Sequence, residues 1–586
     1  MDRPLLTLDR PFTYELPGEL GGGVGSLVQV AFHGRRARGW VLGPTDDIPD
    51  RMLPVRGVVG PVRFFDRRML RLFEWMRERY VAPLATVIGR SHPPRVASEE
   101  AAPRVAATAS PPGRGSAVSP ERFTRYRGGE QLLGACRRGA GAFLVRPAPL
   151  DEQALAVEAV AACLDAGRSA IVLVPEAQPL PATAAAIRDA FGSDVALYLG
   201  GDRRSRYRTW LDIRSGRFRC VVGTRPAVFA PVPRLGLVWV ARESHPGHRE
   251  ERSPSFHVRD VALARAGMDA ATCAVAALCH SAEAAASIDA RVEPRARSWP
   301  PVEVVRPGPE GRAPRLVSAL RDARRGFLYA PLPGYGVARV CRTCGAPAAC
   351  ASCRGTLRLA SGVVRCTVCE ASGRCGSCGS DDFGIARGGA ERVEEWARRA
   401  THAPVRRIPP EGPFDPPGDP ELLVGGAEAV KDTGPLELDL VGILDVDRAR
   451  RRPGLAAMER SLALWMEAAA WASPRGRVIV QASRPNDPAV QALVSGNPER
   501  FHRREAPERE AAGFPPGFPV FRVAGGKGLA PELRAIAHVS LLVSGGEDRT
   551  VCLVTVRPDD VPAFGRAVRR LAVAGVIERV EAEPHL

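Results

Sequence analysis

Apolar residues arrive along this chain in short clumps, and the spacing within and between the clumps sets out its parts. Near the start, "SLVQVAFHGRRARGWVLG" (26–43) alternates with period two, and "RRMLRLFEWMRERYVA" (67–82) has helical spacing. Residues 1–95 therefore read as a small β-rich module with one helix. Residues 96–129, "VASEEAAPRVAATASPPGRGSAVSPERFTRYRGG", hold almost no core formers and are expected to be a linker or disordered. From 130 to 300 the apolar runs become short and continuous: "AIVLV" (170–174), "VALYL" (195–199), "CVVG" (220–223) and "LGLVWV" (235–240). Helical segments such as Gln153 to Ala166 lie beside them, which predicts a parallel sheet flanked by helices. The alternation resumes within 301–490, where "ERVEEWARRA" reads as helix and "LLVGG", "LDLVGILDV" and "RVIVQAS" as strands. Residues 491–586 give a further α+β unit, with "TVCLVTV" strand-like and "DDVPAFGRAVRRLAVAG" helix-like. The expected fold is multidomain α/β: a β-rich module, two α/β lobes and a carboxy-terminal domain.

Charge sharpens this picture. The 82 basic residues exceed the 65 acidic ones, for a net +17, and only Lys431 and Lys527 are lysines. A guanidinium-rich surface favours polyanions, because the planar fork donates two parallel hydrogen bonds to phosphate or carboxylate. The first residues carry Asp2, Arg3, Asp9 and Arg10, and no stretch approaches a membrane-spanning apolar run, so neither a signal core nor a membrane span is expected. Cys136, Cys163, Cys220, Cys273, Cys279 and Cys552 stand singly in apolar segments and read as buried small hydrophobes in a reducing, cytoplasmic setting.

The other eight of the fourteen cysteines crowd into residues 340–382: Cys341, Cys344, Cys350, Cys353, Cys366, Cys369, Cys375 and Cys378. Their spacing, C-x2-C-x5-C-x2-C-x12-C-x2-C-x5-C-x2-C, reads the same in both directions. A C-x2-C knuckle lets two thiolates grip one metal, and four thiolates complete zinc's tetrahedron, so four knuckles supply two structural zinc sites. A disulfide framework and an iron–sulfur cluster fit this spacing and compartment less well.

Eight cysteines so spaced, followed by "GGAERVEEWARRA", resemble the PriA family of replication-restart proteins. So do "LDRPFTYELP" near the start, "LVPEA" (173–177), "VVGTRPAVFAPVPRLGLVWV" (221–240), "FHVRDVALARA" (256–266), "VGILDVD" (441–447), "GRVIVQASRPNDPAVQAL" (476–493) and "EREAAGFPP" (508–516). The resemblance implies a DNA helicase frame of two RecA-like lobes with a two-zinc ribbon inserted in the second. It implies nested ligation: Cys341, Cys344, Cys375 and Cys378 at one zinc, Cys350, Cys353, Cys366 and Cys369 at the other. It implies that residues 1–95 capture the 3′ end of a nascent DNA strand at Phe12, Thr13 and Tyr14, although the family usually has aspartate where Thr13 stands. The family's winged helix between this module and the first lobe has no room in 96–129.

The engine parts that the resemblance implies are replaced. A phosphate loop G-x-x-x-x-G-K-[ST] is expected after the first strand of the first lobe. Here Arg146 to Gln153 cover it, with Glu152 in place of lysine, Gln153 in place of Ser/Thr, and two prolines that lack N–H donors. The family's D-E-x-H falls on Ala241 to Ser244, so Ala241 and Arg242 replace the metal-binding pair. His280, Ser281 and Ala282 replace S-A-T, and Glu467, Ala470, Trp471 and Pro474 replace the Gln, Gly and arginines of Q-x-x-G-R-x-G-R. The expectation is a DNA-binding replication-restart protein for stalled or branched forks without helicase activity. It would bind forked or single-stranded DNA, replication-restart proteins, single-strand-binding protein and a helicase loader. The alternatives are an active 3′–5′ helicase with a non-standard nucleotide site and a protein scaffold of the primosome. His245, His248 and His257 are expected in a surface loop, and "RARRRPG" (448–454) in a basic loop.

Overall fold

The continuous apolar runs form sheets covered on both faces. A computed structural model describes residues 6–101, 121–308, 312–330, 337–346, 348–352, 355, 357–360, 363–366, 371–386, 389–409, 414–452, 454–536, 539–545 and 549–584. The chain divides into two compact units, Met1–Arg297 with His502–Leu586, and Ser298–Phe501.

At the centre of the first unit is an eight-stranded sheet. Its order is Tyr126–Arg127, Ala290–Pro294, Ala142–Val145, Thr272–Ala276, Leu235–Val240, Ser169–Leu173, Cys220–Gly223 and Val195–Tyr198. All neighbours are parallel except the first pair. Successive residues of a strand enter opposite cores, as the two-residue period requires. Ile171, Val221, Val238 and Val275 face one core, and Val172, Val222, Trp239 and Ala274 the other. Because both faces are covered, these strands read as unbroken apolar runs and not as alternations. The helix Glu152–Asp165 follows Ala142–Val145 and buries Leu155, Val160 and Leu164.

The amino-terminal module contributes a three-stranded antiparallel sheet in the order Arg35–Trp40, Ser26–Phe32, Gly57–Arg63. Its helix Arg67–Arg79 starts at Asp66, whose carboxylate accepts from Met69 N at 2.8 Å, and buries Leu70, Phe73 and Met76. Residues 502–586 include a four-stranded antiparallel sheet, Val539–Gly545, Thr550–Val556, Val520–Gly525 and Ile577–Ala582, with the helix Val561–Val573. Phe73 and Met76 share one apolar core with Phe521 and Phe564. Asp9 ties these parts: Arg77 Nε and Arg569 Nε both donate to its Oδ2 at 2.8 Å, and Leu84 N donates to Oδ1 at 2.8 Å. Arg79 pairs with Glu583 at 3.0 Å.

Both ends of the expected linker, 96–129, are folded, while 102–120 lie outside the described residues. At the first end the helix Ala97–Glu100 buries Glu99 between Arg204 and Arg208, which hold its carboxyl down to about 2 by hydrogen bonding. At the second, Phe123 and Tyr126 are fully buried. The sparse core formers of that stretch are placed where it meets the lobe, which composition averaged over the segment conceals.

The second unit has a six-stranded, all-parallel sheet: Val302–Val305, Ala472–Gln481, Leu438–Ile443, Arg325–Tyr329, Glu421–Gly425 and Val405–Arg407. Between Arg325–Tyr329 and the helix Gly389–Ala400 lies a four-stranded antiparallel insertion, Val363–Cys366, Leu357–Ala360, Val337–Cys341 and Phe383–Ala386. The fold is thus multidomain α/β with a cysteine-bearing insertion. Among the described residues no helix is long and apolar enough to cross a membrane.

Candidate metal centre and nucleic-acid interface

Each knuckle of the insertion closes in the same way. Cys341 N donates to Ala346 O at 2.8 Å, Cys375 N to Ser380 O at 2.8 Å, Cys350 N to Gly355 O at 2.9 Å and Cys366 N to Ala371 O at 3.0 Å. In the outer two, Gly345 and Gly379 also donate back to the Cys341 and Cys375 carbonyls, with φ of 71° and 73°. A Cβ is strained in that left-handed turn, so glycine belongs there. These turns bring Cys341, Cys344, Cys375 and Cys378 together, with all four Sγ atoms within 4.8 Å of one another. The Cys341–Cys378 and Cys344–Cys375 Sγ separations are both 3.6 Å. A tetrahedral zinc with Zn–S of about 2.3 Å sets its sulfurs about 3.8 Å apart, so the donor set fits that ion. Within this set backbone N–H groups lower the Cys341 and Cys375 thiols, while bonds to the neighbouring thiols raise Cys378. Cys350 and Cys366 of the inner set are buried, Cys350 bridging to Cys375, while Cys353 and Cys369 lie outside the described residues. Around the knuckles, among the described residues, Leu357, Val364 and Phe383 supply the large buried apolar side chains.

The second candidate lies in the first unit, at the carboxyl ends of its central strands, where open α/β sheets bind ligands. Residues 146–151 join the strand Ala142–Val145 to the helix that starts at Glu152. Arg146 N donates to Val292 O at 2.9 Å, and Asp151 N to Ala148 O at 3.0 Å. Ala148 N donates to Tyr126 Oη at 2.9 Å. Pro147 and Pro149 have no N–H to give. Tyr126 Oη in turn donates to Asp151 Oδ2 at 2.8 Å, and Arg122 Nη1 to Asp151 Oδ1 at 2.5 Å. Glu158, one helical stretch on, accepts from Arg122 N and Phe123 N at 3.2 and 3.3 Å. A buried tyrosine and an arginine from outside the loop therefore clasp the loop itself.

Ala241 and Arg242 follow the strand Leu235–Val240, and both are buried. Beside them Glu243 has no exposed surface. Its carboxylate takes Arg259 Nη1 at 2.6 Å, Ser281 Oγ at 2.6 Å and Ser281 N at 2.9 Å. Burial alone would raise its pKa; Arg259, His257, His280 and Ser281 override that and hold it down to about 2. The structure corrects the surface-loop reading at His248, while His245 and His257 are half-buried. His248 is fully buried and donates through Nε2 to Ala241 O at 2.7 Å, its ring 6.0 Å from that of His257. Burial lowers His248 to about 4; burial and Arg259 lower His257 to about 3. Local polarity suggested solvent, but His248 is enclosed and bonded through Nε2, and His257 Nδ1 accepts from Arg259 N at 3.2 Å.

In the amino-terminal module Phe12, Thr13 and Tyr14 are half-buried. Tyr14 Oη donates to Ala31 O at 2.9 Å, and Thr13 Oγ1 to Asp47 O at 3.2 Å. The Phe12 ring meets Phe32 edge-on at 5.2 Å, with the Arg10 guanidinium 5.2 Å from its centroid. Tyr14 packs against the small core of Val28, Val30 and Val55, and Phe12 stands beside Phe32 and Arg10.

Comparison with known proteins bears on all three places. Residues 2–93 match the family model described as the 3′DNA-binding domain (3′BD). The probable replication restart protein PriA of Mycobacterium tuberculosis is 32% identical over 583 residues, covering 91% of this chain and 87% of its own. This chain belongs to the PriA family. The replication restart protein PriA of Treponema pallidum is 28% identical, covering 87% of this chain and 84% of its own. Among solved structures, the DUF1998 helicase MrfA bound to DNA superposes with a TM-score of 0.37 at 11% identity, over 64% of this chain and 51% of its own.

Against the PriA-family pattern, the structure places Glu152 and Gln153 in the first turn of the helix after the loop. In the second unit Trp471 is buried, its ring 4.8 Å from Phe327, Glu467 lies on the helix Ala457–Ala469, and Pro474 falls within the strand Ala472–Gln481. Sequence reasoning missed Arg122, Tyr126 and Arg259. The first two sat in the segment read as a linker, and the third lay in a stretch used only for its resemblance to the family.

Proposed function

We propose that this PriA-family protein is a DNA-binding replication-restart factor that recognises stalled or branched forks without ATP-driven unwinding. Its partners on this reading are forked or single-stranded DNA, other replication-restart proteins, single-strand-binding protein and a helicase loader. It would work in the cytoplasm.

The observation that carries the loss of the motor is the closed loop at 146–151. A phosphate loop acts by aiming free backbone N–H groups at phosphate oxygens, with a lysine for their charge. In this loop three N–H groups are already bonded within the protein and two positions are proline. Glu152, where the family has lysine, sets a negative charge in place of the positive one a triphosphate needs. With Ala241 in place of a metal carboxylate and Glu243 engaged by Arg259, the second catalytic element lacks a free acid to hold magnesium or orient water.

The 3′-end reading rests on the family match over 2–93 and on the half-buried turn at Phe12, Thr13 and Tyr14. Two zinc ions would be held by Cys341, Cys344, Cys375 and Cys378 and by Cys350, Cys353, Cys366 and Cys369. Their chemistry is cross-linking of a small module whose apolar core is slight.

The test uses purified, zinc-loaded protein. No nucleotide should bind at millimolar ATP with magnesium, and forked DNA should release no phosphate above the blank. Single strands ending in a 3′-hydroxyl should bind better than those ending in a 3′-phosphate, and forks better than blunt duplex at moderate salt. DNA-stimulated turnover that disappears in an Asp151→Ala/Glu152→Ala variant would establish the helicase reading instead.

A further inference from the structure

The carboxy-terminal sheet ends on an unguarded strand. Val539–Gly545 pairs with Thr550–Val556 on one side, and among the described residues no strand covers its other side. Exposed edges are ordinarily blunted by charge or proline, because their unpaired N–H and C=O groups template further pairing. Here neither strand, "VSLLVSG" nor "TVCLVTV", holds a charged residue or a proline, in a chain whose net charge is +17. Leu542 is 61% exposed and Val543 46% exposed, one on each face of the strand.

The order of residues along this edge says what fits it. Read outward from Leu542, the strand is symmetric: Leu541 and Val543 flank it, then Ser540 and Ser544. An antiparallel second copy centred there sets Leu542 against Leu542, Leu541 against Val543 and Ser540 against Ser544. Centred on Leu541 or Val543 instead, the pairing would set Leu542 against a serine, so the hydrophobic pattern fixes the register. Within one copy Leu542 already stands opposite Leu553. The pairing therefore lines four leucines in a row across the joined sheet, and Leu541 of the second copy covers Val543.

We propose that two copies of this chain associate through Val539–Gly545, antiparallel about a twofold axis at Leu542, and join their four-stranded sheets into one of eight. A twofold interface uses the same patch on both copies, which is what a symmetric strand supplies. The lack of charge on these strands lets two cationic proteins meet without like charges opposed across the strand pair. One strand pair buries little area, so the association is reversible and concentration-dependent. No residue of it belongs to the sites above, and it stands apart from the DNA-binding reading.

The experiment measures the mass of the full-length chain by sedimentation over a series of protein concentrations. The natural protein should pass from monomer to dimer. Leu542→Lys, which sets two ammonium groups at the axis, should weaken the dimer about tenfold or more and leave the melting temperature unchanged. Oxidation reads the register. Directly opposed residues of an antiparallel pair have Cα atoms about 4.5–5.5 Å apart, within reach of a disulfide. Under a mild oxidant that leaves the natural protein uncross-linked, Leu542→Cys should cross-link to itself. Ser540→Cys should cross-link to Ser544→Cys but not to itself. A dimer that Leu542→Lys leaves intact puts the contact elsewhere and overturns the proposal. A monomer at every concentration, with no cross-link at 542, also overturns it and leaves the edge to a strand of a different protein.

Discussion

Glu243 stays ionised with no exposed surface because Arg259 and Ser281 saturate it from two directions. Removing one member of a buried pair strands the other, at a cost of about 3–5 kcal/mol. Glu243→Ala and Arg259→Ala should each lower the unfolding free energy measured by denaturant titration by that much, while the double replacement by apolar residues should cost less than the sum. Buried His248 and half-buried His257 make the same pocket acid-sensitive. The unfolded chain takes up protons at His248 and His257 near 6.5, whereas the folded chain takes them up only near 4 and 3. The unfolded state then binds more protons as pH falls below 6.5, so stability drops progressively from there to about 3. Denaturant titrations between pH 7 and 4 should show that slope, and His257→Gln should flatten it. In the sequence the replaced acid at Ala241 was plain. The rescue of Glu243 was not, because its partners stand 16 and 38 residues away and meet it only through the parallel sheet.

At the scale of elements the regular parts were easy to read. Unbroken runs such as "LGLVWV" became strands buried on both faces, and Leu235–Val240 has the bounds its sequence suggested. The knuckles were legible because two cysteines and a tight turn carry their own geometry. The four outer sulfurs lie close enough together to hold one metal ion. What escaped was packing at element ends: Trp471 stands where an arginine finger was expected and fills the core against Phe327. Trp471→Ala should cost about 3–5 kcal/mol in that unit. Cys344→Ser should remove one equivalent of bound zinc, measured by elemental analysis, and Cys344→Ser with Cys366→Ser should remove both. Chelation should unfold the insertion and leave the far-ultraviolet signal of the two parallel sheets largely intact, since their strands carry their own buried cores.

The whole molecule is organised by contacts that no local pattern announces. Residues 502–586 join the body that contains residue 9, and helix Val561–Val573 shares a core with helix Arg67–Arg79. Asp9, with a side chain only 3% exposed, takes guanidiniums from both Arg77 and Arg569. Asp9→Ala should leave those cations without their shared partner and free the carboxy-terminal segment for early cleavage in limited proteolysis, with little effect on metal content. Such a bond spans 560 positions of sequence, too far for periodicity or spacing to suggest. It also dictates an order of events during translation. Ser298–Phe501 can mature as soon as it clears the ribosome, but the other unit is completed only when the segment bearing Arg569 emerges. Until then Phe73 and Met76 lack part of their cover, so a synthesis halted after residue 501 should yield a chaperone-bound, aggregation-prone product carrying one finished lobe.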